Sequence, residues 1–395
     1  MKTLDQWLAW QQQVHRREID LGLERMRIVW QRLGARRPAA CVITVGGTNG
    51  KGSTVALLEA MLTCAGHAVG CYTSPHLLRY NERIRLRGED VGDEALIKVF
   101  ERIEAARQDT PLTWFEHGTL AALELMADAG LDVAVLEVGL GGRLDAVNLI
   151  DADAAIVTSV GIDHVDYLGP DRDSIGREKA GIFRRNRPAI VADPQPPAGL
   201  LESARSCGAT LLRFGVDFEV VRQAGVWLWR TRDADAGHAD LVLDARDLDR
   251  PGRKQNLAAA LMALWSLRDR LGWQGQASAD AAAGIQPPGR VQRLPGQPQV
   301  IVDVAHNPQA SEALAEWLRS NDCRGRTLAV FSAMADKDIA GIASVMGPLI
   351  DHWHVCPLPE AGPRGLDSDA VKHRIGNGWP QAECTAHASV GAALA

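Results

Sequence analysis

Three observations in the 395-residue chain predict an α/β fold. Short, β-branched, apolar runs alternate with stretches of helical periodicity, as in strands that pair in parallel through crossover helices. The first such run opens onto a glycine-rich turn, Gly46-Gly47-Thr48-Asn49-Gly50-Lys51-Gly52-Ser53, and then a helix. After a proline-rich stretch the alternation restarts. Together these predict a doubly wound, mostly parallel sheet of P-loop type, with a second, smaller α/β domain of Rossmann-like organisation.

Cys41-Val42-Ile43-Thr44-Val45 reads as a buried parallel strand. Thr54 to Ala65 follows as a helix, with Val55, Leu58, Met61 and Leu62 on one face and Gly66 stopping it. Residues 133–138, 154–158 and 189–191 read as further strands, and 118–127 as one of the helices between them. The region 211–245, with its Val226-Trp227-Leu228-Trp229 run, predicts a β-hairpin excursion. Residues 254–271 predict one long helix carrying Leu257, Leu261, Leu264 and Leu267. Pro287, Pro288, Pro295 and Pro298, without periodicity around them, mark a linker. Beyond it, 300–304, 327–331 and 353–356 predict strands and 311–318 a helix. The expected division is 1–285 for the first domain, 286–298 for the linker and 299–395 for the second domain.

A net charge of −6 argues against nucleic acid or an anionic membrane as the main partner, so an anionic substrate must meet local basic groups. No apolar run reaches the length of a membrane span, and the first residues lack a signal-peptide apolar region, which predicts a cytoplasmic protein. Seven cysteines without a CxxC pair are expected to be reduced thiols, not disulfides or zinc ligands. No stretch resembles an assembly helix, and a monomer is expected.

The glycine turn carries the strongest chemical signal. Its backbone N–H groups and the helix N-terminus suit phosphate, Lys51 adds a mobile charge, and Ser53 a hydroxyl for Mg²⁺. This is the pattern of a nucleoside-triphosphate site. Glu137 ends an apolar strand, where it would face either a phosphate-bound cation or the N–H groups of the glycines that follow. His164, after the next strand, is a candidate second metal ligand or a structural histidine. Lys179 reads either as a solvated helix charge or, if buried, as an amine that CO₂ converts to a carbamate able to hold Mg²⁺. Ser74, in a proline turn, could also reach a cation. The stretch 79–87 after it alternates basic and apolar residues like a half-exposed strand. Asp303, His306 and Asn307 follow a strand of the second domain, with an Asx turn before Pro308 as the competing explanation for Asn307.

The segments GTNGKGS (47–53), TSPHL (73–77), NERIR (81–85), EVGLGGRLDA (137–146) and DHVDYLGPDRDSIGREKAGIFR (163–184) appear in that order. KQNLAAAL (254–261), PGR (288–290), DVAHNP (303–308) and MADKDI (334–339) follow. Together they resemble the folylpolyglutamate synthase/dihydrofolate synthase family of the Mur ligase superfamily, whose short Gly-Thr-x-Gly-Lys loop differs from the common P-loop spacing. The resemblance implies that Asn49, Gly50, Lys51, Gly52 and Ser53 cradle ATP, completed by Asn256, Arg290 and Asp303. It implies two Mg²⁺ ions: one on Ser74 and Glu137, a second on His164 beside a carbamylated Lys179, with His306 and Asp145 as further active-site residues. It assigns Ile19, Asp20 and Leu21, Thr113, Trp114, Phe115 and Glu116, and Leu144, Asp145 and Ala146 to a dihydropteroate pocket.

The activity implied is ATP-dependent joining of L-glutamate to dihydropteroate and to tetrahydrofolate through an acyl phosphate. The rivals are a folylpolyglutamate synthase alone, a ligase for another acid, or a folate-sensing nucleotide-binding protein. Two departures stand out. Val304 replaces the family's frequent Asn before Ala-His-Asn-Pro, and the chain stops at Ala395 without a final strand bearing a Gly-Ser-Phe-like segment, so truncation or a different domain edge is expected.

Overall fold

The structure is a computed structural model and describes residues 2–15, 17, 19–232, 240–244, 248, 250–321 and 325–395. Thr3 opens α1 (Leu4–Val14), its hydroxyl accepting the Gln6 amide, and α2 (Glu24–Arg32) follows. β1 (Ala39–Gly46) is buried at every residue but Ala40. After it come α3 (Lys51–Cys64), β2 (Val69–Tyr72), a 3₁₀ turn at Tyr80–Arg83, β3 (Ile84–Leu86), β4 (Glu89–Asp90), α4 (Asp93–Arg107) and α5 (Trp114–Ala129). The alternation continues through β5 (Leu131–Glu137), β6 (Ala154–Val157), α6 (Val165–Leu168), α7 (Arg172–Ala180), β7 (Pro188–Val191), α8 (Ala198–Cys207) and β8 (Thr210–Arg213).

These strands form one sheet ordered β4-β3-β2-β5-β1-β6-β7-β8, parallel except for β3 and β4 at one edge. From β1 the chain moves to β2, returns through β5, then crosses to β6 on the other side of β1. That reversal opens a crevice beyond the C-terminal ends of β1, β5 and β6, where α/β sheets bind ligands.

Phe218–Gln223 (β9), Val226–Thr231 (β10) and Asp240–Leu243 (β11) make a separate antiparallel sheet. Ala224 and Gly225, both at positive φ, close the β9–β10 hairpin. The expected excursion therefore starts later than 211, because 210–213 belongs to the parallel sheet as β8. The expected long helix is also broken. It forms α9 (Arg253–Ser266) and α10 (Arg268–Leu271), and the Ser266 hydroxyl bonds the Met262 carbonyl just where the turn tightens. A short α11 (Gln276–Ala282) follows and packs on α3.

The chain divides into two compact units, the second made chiefly of 289–395 with 161–166. In the first, α3, α9 and α11 bury Leu58, Met61 and Leu261 against one face of the sheet, and α1, α2, α4 and α5 cover the other around Met26, Phe100 and Leu123.

In the second unit, Gln292–Leu294 (β12) pairs antiparallel with Val300–Val302 (β13), so part of the proline-rich stretch is a hairpin. α12 (Pro308–Ser320), β14 (Leu328–Phe331), α13 (Ile339–Met346), β15 (His352–Val355), α14 (Ser368–Gly378), β16 (Cys384–Ala386) and α15 (Val390–Leu394) complete it. Its parallel sheet β14-β15-β16 packs Trp353 and Val355 on Ile342, Val371 and Ile375.

Among the described residues no helix is long and apolar enough to cross a membrane, and Cys41, Cys64, Cys71, Cys207, Cys356 and Cys384 are free thiols. Cys323 lies outside the described residues.

Candidate active site

The glycine turn between β1 and α3 needs glycine where backbone and neighbours leave no room for a side chain. Gly50 caps α3 at φ +90°, and a Cβ there would stand 2.7 Å from Asn256 Oδ1. Gly47 has φ +141°, and its Cβ would overlap the Thr158 hydroxyl. The residues after β6 clasp the loop. Thr158 Oγ1 donates to the Asn49 carbonyl at 2.7 Å, and the Asn49 amide donates to Ser159 Oγ at 3.0 Å. Lys51 folds back over the loop, its Nζ 3.1 Å from the Gly47 carbonyl and 3.2 Å from that of Thr48. Ser53 lies in the first turn of α3.

Glu137 ends β5 with its carboxylate 3% exposed, accepting the Ser74 amide at 3.3 Å. A Cβ on Gly52 would stand 3.5 Å from Glu137 Oε2, so the carboxylate looks directly at the phosphate loop. Asn256, 6% exposed on α9, reaches the same loop. The first unit thus gathers Asn49, Gly50, Lys51, Gly52, Asn256, Glu137 and Ser74 at one place.

Asp145, between Leu144 and Ala146, is buried and caps a 3₁₀ turn. It accepts the Leu140 and Val147 amides at 2.8 and 2.9 Å. Burial outweighs those bonds and the nearby Lys51 charge and pushes its carboxyl up to about 6. Lys179, at the C-terminal end of α7, is 3% exposed, not a solvated helix charge.

Thr113 caps α5 in a reciprocal box with Glu116. Arg25 joins this corner to the N-terminal segment, 3.0 Å from Glu116 and 2.6 Å from Asp20. Asp20 therefore sits with the Thr113–Glu116 corner, and Ile19 and Leu21 flank it half-buried. The Phe115 ring lies 6.0 Å from that of Tyr72 and against Gly139, just past Glu137. Trp114 packs edge-on to Tyr80.

Arg290, Asp303, His306 and His164 all belong to the second unit. The Asp303 carboxylate accepts the Val291 and Ala305 amides at 2.8 and 2.7 Å, which fixes the backbone beside Arg290. His164 has φ +52° and follows Asp163, the centre of a charged cluster. Asp163 lies 2.9 Å from Lys337 Nζ, 3.6 Å from His306 Nε2 and 3.4 Å from Asn307 Nδ2. Burial alone would raise the Asp163 carboxyl, but the bonds from His306 and Lys337 and the nearby His164 hold it well below the usual carboxylate range. The Asx-turn reading of Asn307 holds as well, since its Oδ1 caps α12 through the Ala310 amide.

Sequence reasoning missed the roles of Arg25, Asp163 and Lys337. Lys337 had a signal: it follows β14, the crevice position of its sheet, inside the MADKDI segment. Arg25 had none, because a basic residue in the first turns of a helix reads as solvated.

A parallel sheet reversing at β1, with a short phosphate loop facing a buried acid, is the architecture of a nucleotide-binding α/β enzyme. The family model described as "Mur ligase middle domain" matches residues 45–220, and "Mur ligase, glutamate ligase domain" matches 289–395. The chain is 46% identical over 376 residues to the dihydrofolate synthase/folylpolyglutamate synthase of Escherichia coli (strain K12), covering 95% of this chain and 86% of that one. The solved structure "E.coli FolC in complex with DHPP and ADP" superposes with TM-score 0.90 at 43% identity, covering 100% of this chain and 91% of that one. A bifunctional folylpolyglutamate synthase/dihydrofolate synthase "with Mn, AMPPNP and L-Glutamate bound" matches at TM-score 0.88 and 39% identity, with coverage of 100% and 91%. The chain belongs to the dihydrofolate synthase/folylpolyglutamate synthase family.

Proposed function

We propose that this ligase joins L-glutamate to dihydropteroate, forming dihydrofolate, and to tetrahydrofolate, forming folylpolyglutamate. The observation that carries the reading is the glycine loop held between Asn256 and the buried Glu137, in a chain whose relatives bear both activities in their names. The ATP γ-phosphoryl passes to the acid's carboxylate oxygen, giving an acyl phosphate and ADP. The glutamate amine then attacks the acyl carbon, loses a proton, and expels phosphate.

Asn49, Gly50, Lys51, Gly52 and Ser53 hold the triphosphate from the first unit, with Asn256. By the family resemblance Arg290 and Asp303 are further nucleotide-binding residues. Asp145, with a carboxyl that titrates near 6, is a group able to hold or take a proton close to neutrality. By the same resemblance His306 is a further active-site residue.

The donor set fits a hard cation. Glu137 offers a buried carboxylate facing the phosphate loop and Ser74 a hydroxyl beside it, both oxygen ligands. These two residues would hold one Mg²⁺; by the resemblance His164 would hold a second, and Lys179 would be carbamylated by CO₂. When bound, Mg²⁺ supplies neutralisation of charge on the phosphoryl oxygens. The burial of Lys179 supports the carbamate, because an amine kept from water has its neutral, CO₂-reactive form favoured.

The link from Asp20 through Arg25 to Glu116 favours the bifunctional reading over polyglutamylation alone, because it ties the N-terminal segment to the assigned pteroate corner. The test is ADP release with Mg-ATP and L-glutamate, comparing dihydropteroate with tetrahydrofolate and identifying products by mass. Turnover of both is expected. Turnover of tetrahydrofolate alone would make the N-terminal segment structural, and silence with both would point to another acid.

A further inference from the structure

Only the end of the NERIR segment is the half-exposed strand its alternation suggests; Asn81 to Arg83 belong to a turn. Glu82 accepts the amides of Leu77, Leu78 and Arg79, folding 80–83 into a turn that carries Arg83 inward. Arg83 is 6% exposed, and among the described residues no carboxylate lies within ion-pair distance of it. Arg85, two residues on, is by contrast held by Glu59 at 2.6 Å.

The surroundings of Arg83 are aromatic and neutral. Its Nε donates to His76 Nδ1 at 2.8 Å, and burial together with the Arg83 charge keeps that imidazole's pKa low, so His76 stays an acceptor. The guanidinium lies 4.6 Å from the Trp114 ring centroid and 5.6 Å from that of Tyr80. The Tyr72 phenol lies close enough to feel its charge. From β2, the proline turn, the 3₁₀ turn and α5, then, Arg83 meets Tyr72, His76, Tyr80 and Trp114, none of them an anion. A buried guanidinium with no counter-charge is costly unless an anion arrives.

The location says which anion. Arg83 accepts the Thr73 amide through its carbonyl, one residue from Ser74, which bonds Glu137. Tyr72 feels both Arg83 and Asp145, and Asp145 feels Lys51. Trp114 and Phe115 are adjacent in the assigned pteroate corner. Arg83 thus stacks on the assigned pteroate corner through Trp114, while its backbone holds Thr73 beside Ser74 and Glu137.

Resting on the ligase reading above, we infer that Arg83 anchors the carboxylate of the acid substrate, its guanidinium fork holding the oxygens before one of them attacks the γ-phosphorus. Its terminal N–H groups suit bidentate recognition of a planar carboxylate, with the Nε edge already fixed by His76.

The test is direct binding by calorimetry in the presence of Mg-ADP. Dihydropteroate is compared with its analogue bearing hydrogen in place of the carboxylate, on wild type, Arg83→Met and Arg83→Lys. Wild type should prefer the carboxylate by about 10- to 100-fold, the range of a charge-assisted hydrogen bond. Arg83→Met should lose that preference through dihydropteroate alone, binding the analogue as wild type does, with ADP affinity unchanged as the check on folding. Arg83→Lys should keep part of the preference, and carries the comparison if the methionine variant does not fold. A variant that weakens both ligands equally, or keeps the full preference, overturns the role of Arg83. A wild type that binds neither ligand overturns the substrate reading, and this assignment with it.

Discussion

Gly50→Ala isolates one contact that the phosphate loop depends on. The new residue would be left-handed at φ +90°, which costs an L-residue about 1–2 kcal/mol. Its Cβ would also stand 2.7 Å from Asn256 Oδ1 and 2.9 Å from Nδ2, so the amide must leave its rotamer for about 0.5–1.5 kcal/mol more. The sum is a loss of about 1.5–3.5 kcal/mol in the free energy of unfolding. Asn256→Ala removes the clash but not the backbone cost, so Gly50→Ala should be less harmful in that background by about 1 kcal/mol. Denaturant unfolding of the four proteins in this double-mutant cycle measures the coupling. Additivity within about 0.3 kcal/mol would refute the claim that Asn256 is what excludes a side chain at Gly50. A coupling of the opposite sign would show the two residues supporting each other through some other contact.

Three further outcomes follow from the site. Glu137→Ala should lower turnover by at least about 100-fold and abolish the dependence of rate on Mg²⁺ concentration; normal metal activation in that variant would contradict a ligand role. Asp145 carries a folded-state carboxyl raised to about 6 against 3.8 for the unfolded chain, so its protonation stabilises the fold fully below 3.8 and the gain is lost as pH rises through 6. Relative to Asp145→Asn, wild-type unfolding free energy should therefore fall by about 2 kcal/mol between about pH 4.5 and 7, and a flat difference in denaturant titrations would contradict the burial argument. Arg25→Met should destabilise by about 1–3 kcal/mol, because Glu116 is left buried with less compensation, and should raise KM for dihydropteroate while sparing that for ATP. An unchanged acid KM would detach Asp20 and Glu116 from substrate binding.

What the sequence disclosed divides by the range of the interactions involved. β1, the glycine turn and α3 were legible because each is written in consecutive residues: an apolar run, glycines at forced φ, and a helical stripe. Glu137 was legible for the same reason, as the one charge closing an apolar strand. The stretch 79–87 forms a half-exposed strand only at Ile84–Leu86; its first part misled because alternation of basic and apolar residues cannot show that one carboxylate, Glu82, gathers three backbone amides and turns the chain. The break in the helix beyond Ser266 falls at Leu267, whose backbone leaves the helical region, and periodicity does not register it. Arg25 with Glu116 and Asp163 with Lys337 are 91 and 174 residues apart. Position after β14 marks Lys337, but nothing local says that it meets Asp163 or that Arg25 meets Glu116.

The buried charges of the first unit share a reason for standing where they do. The middles of β1, β2 and β5 are apolar on both faces, and a charge there would lose its water with nothing in return. Their C-terminal ends are where backbone amides come free, and these amides hold Glu137 and Asp145 in place. They do so incompletely, since burial still raises Asp145, and Arg83 faces only neutral rings. Groups fully satisfied by the protein would have little to offer a ligand. The residual desolvation at Asp145 and Arg83 is sustained by the apolar core beneath, and at Arg83 it is what an arriving carboxylate would relieve under the inference above.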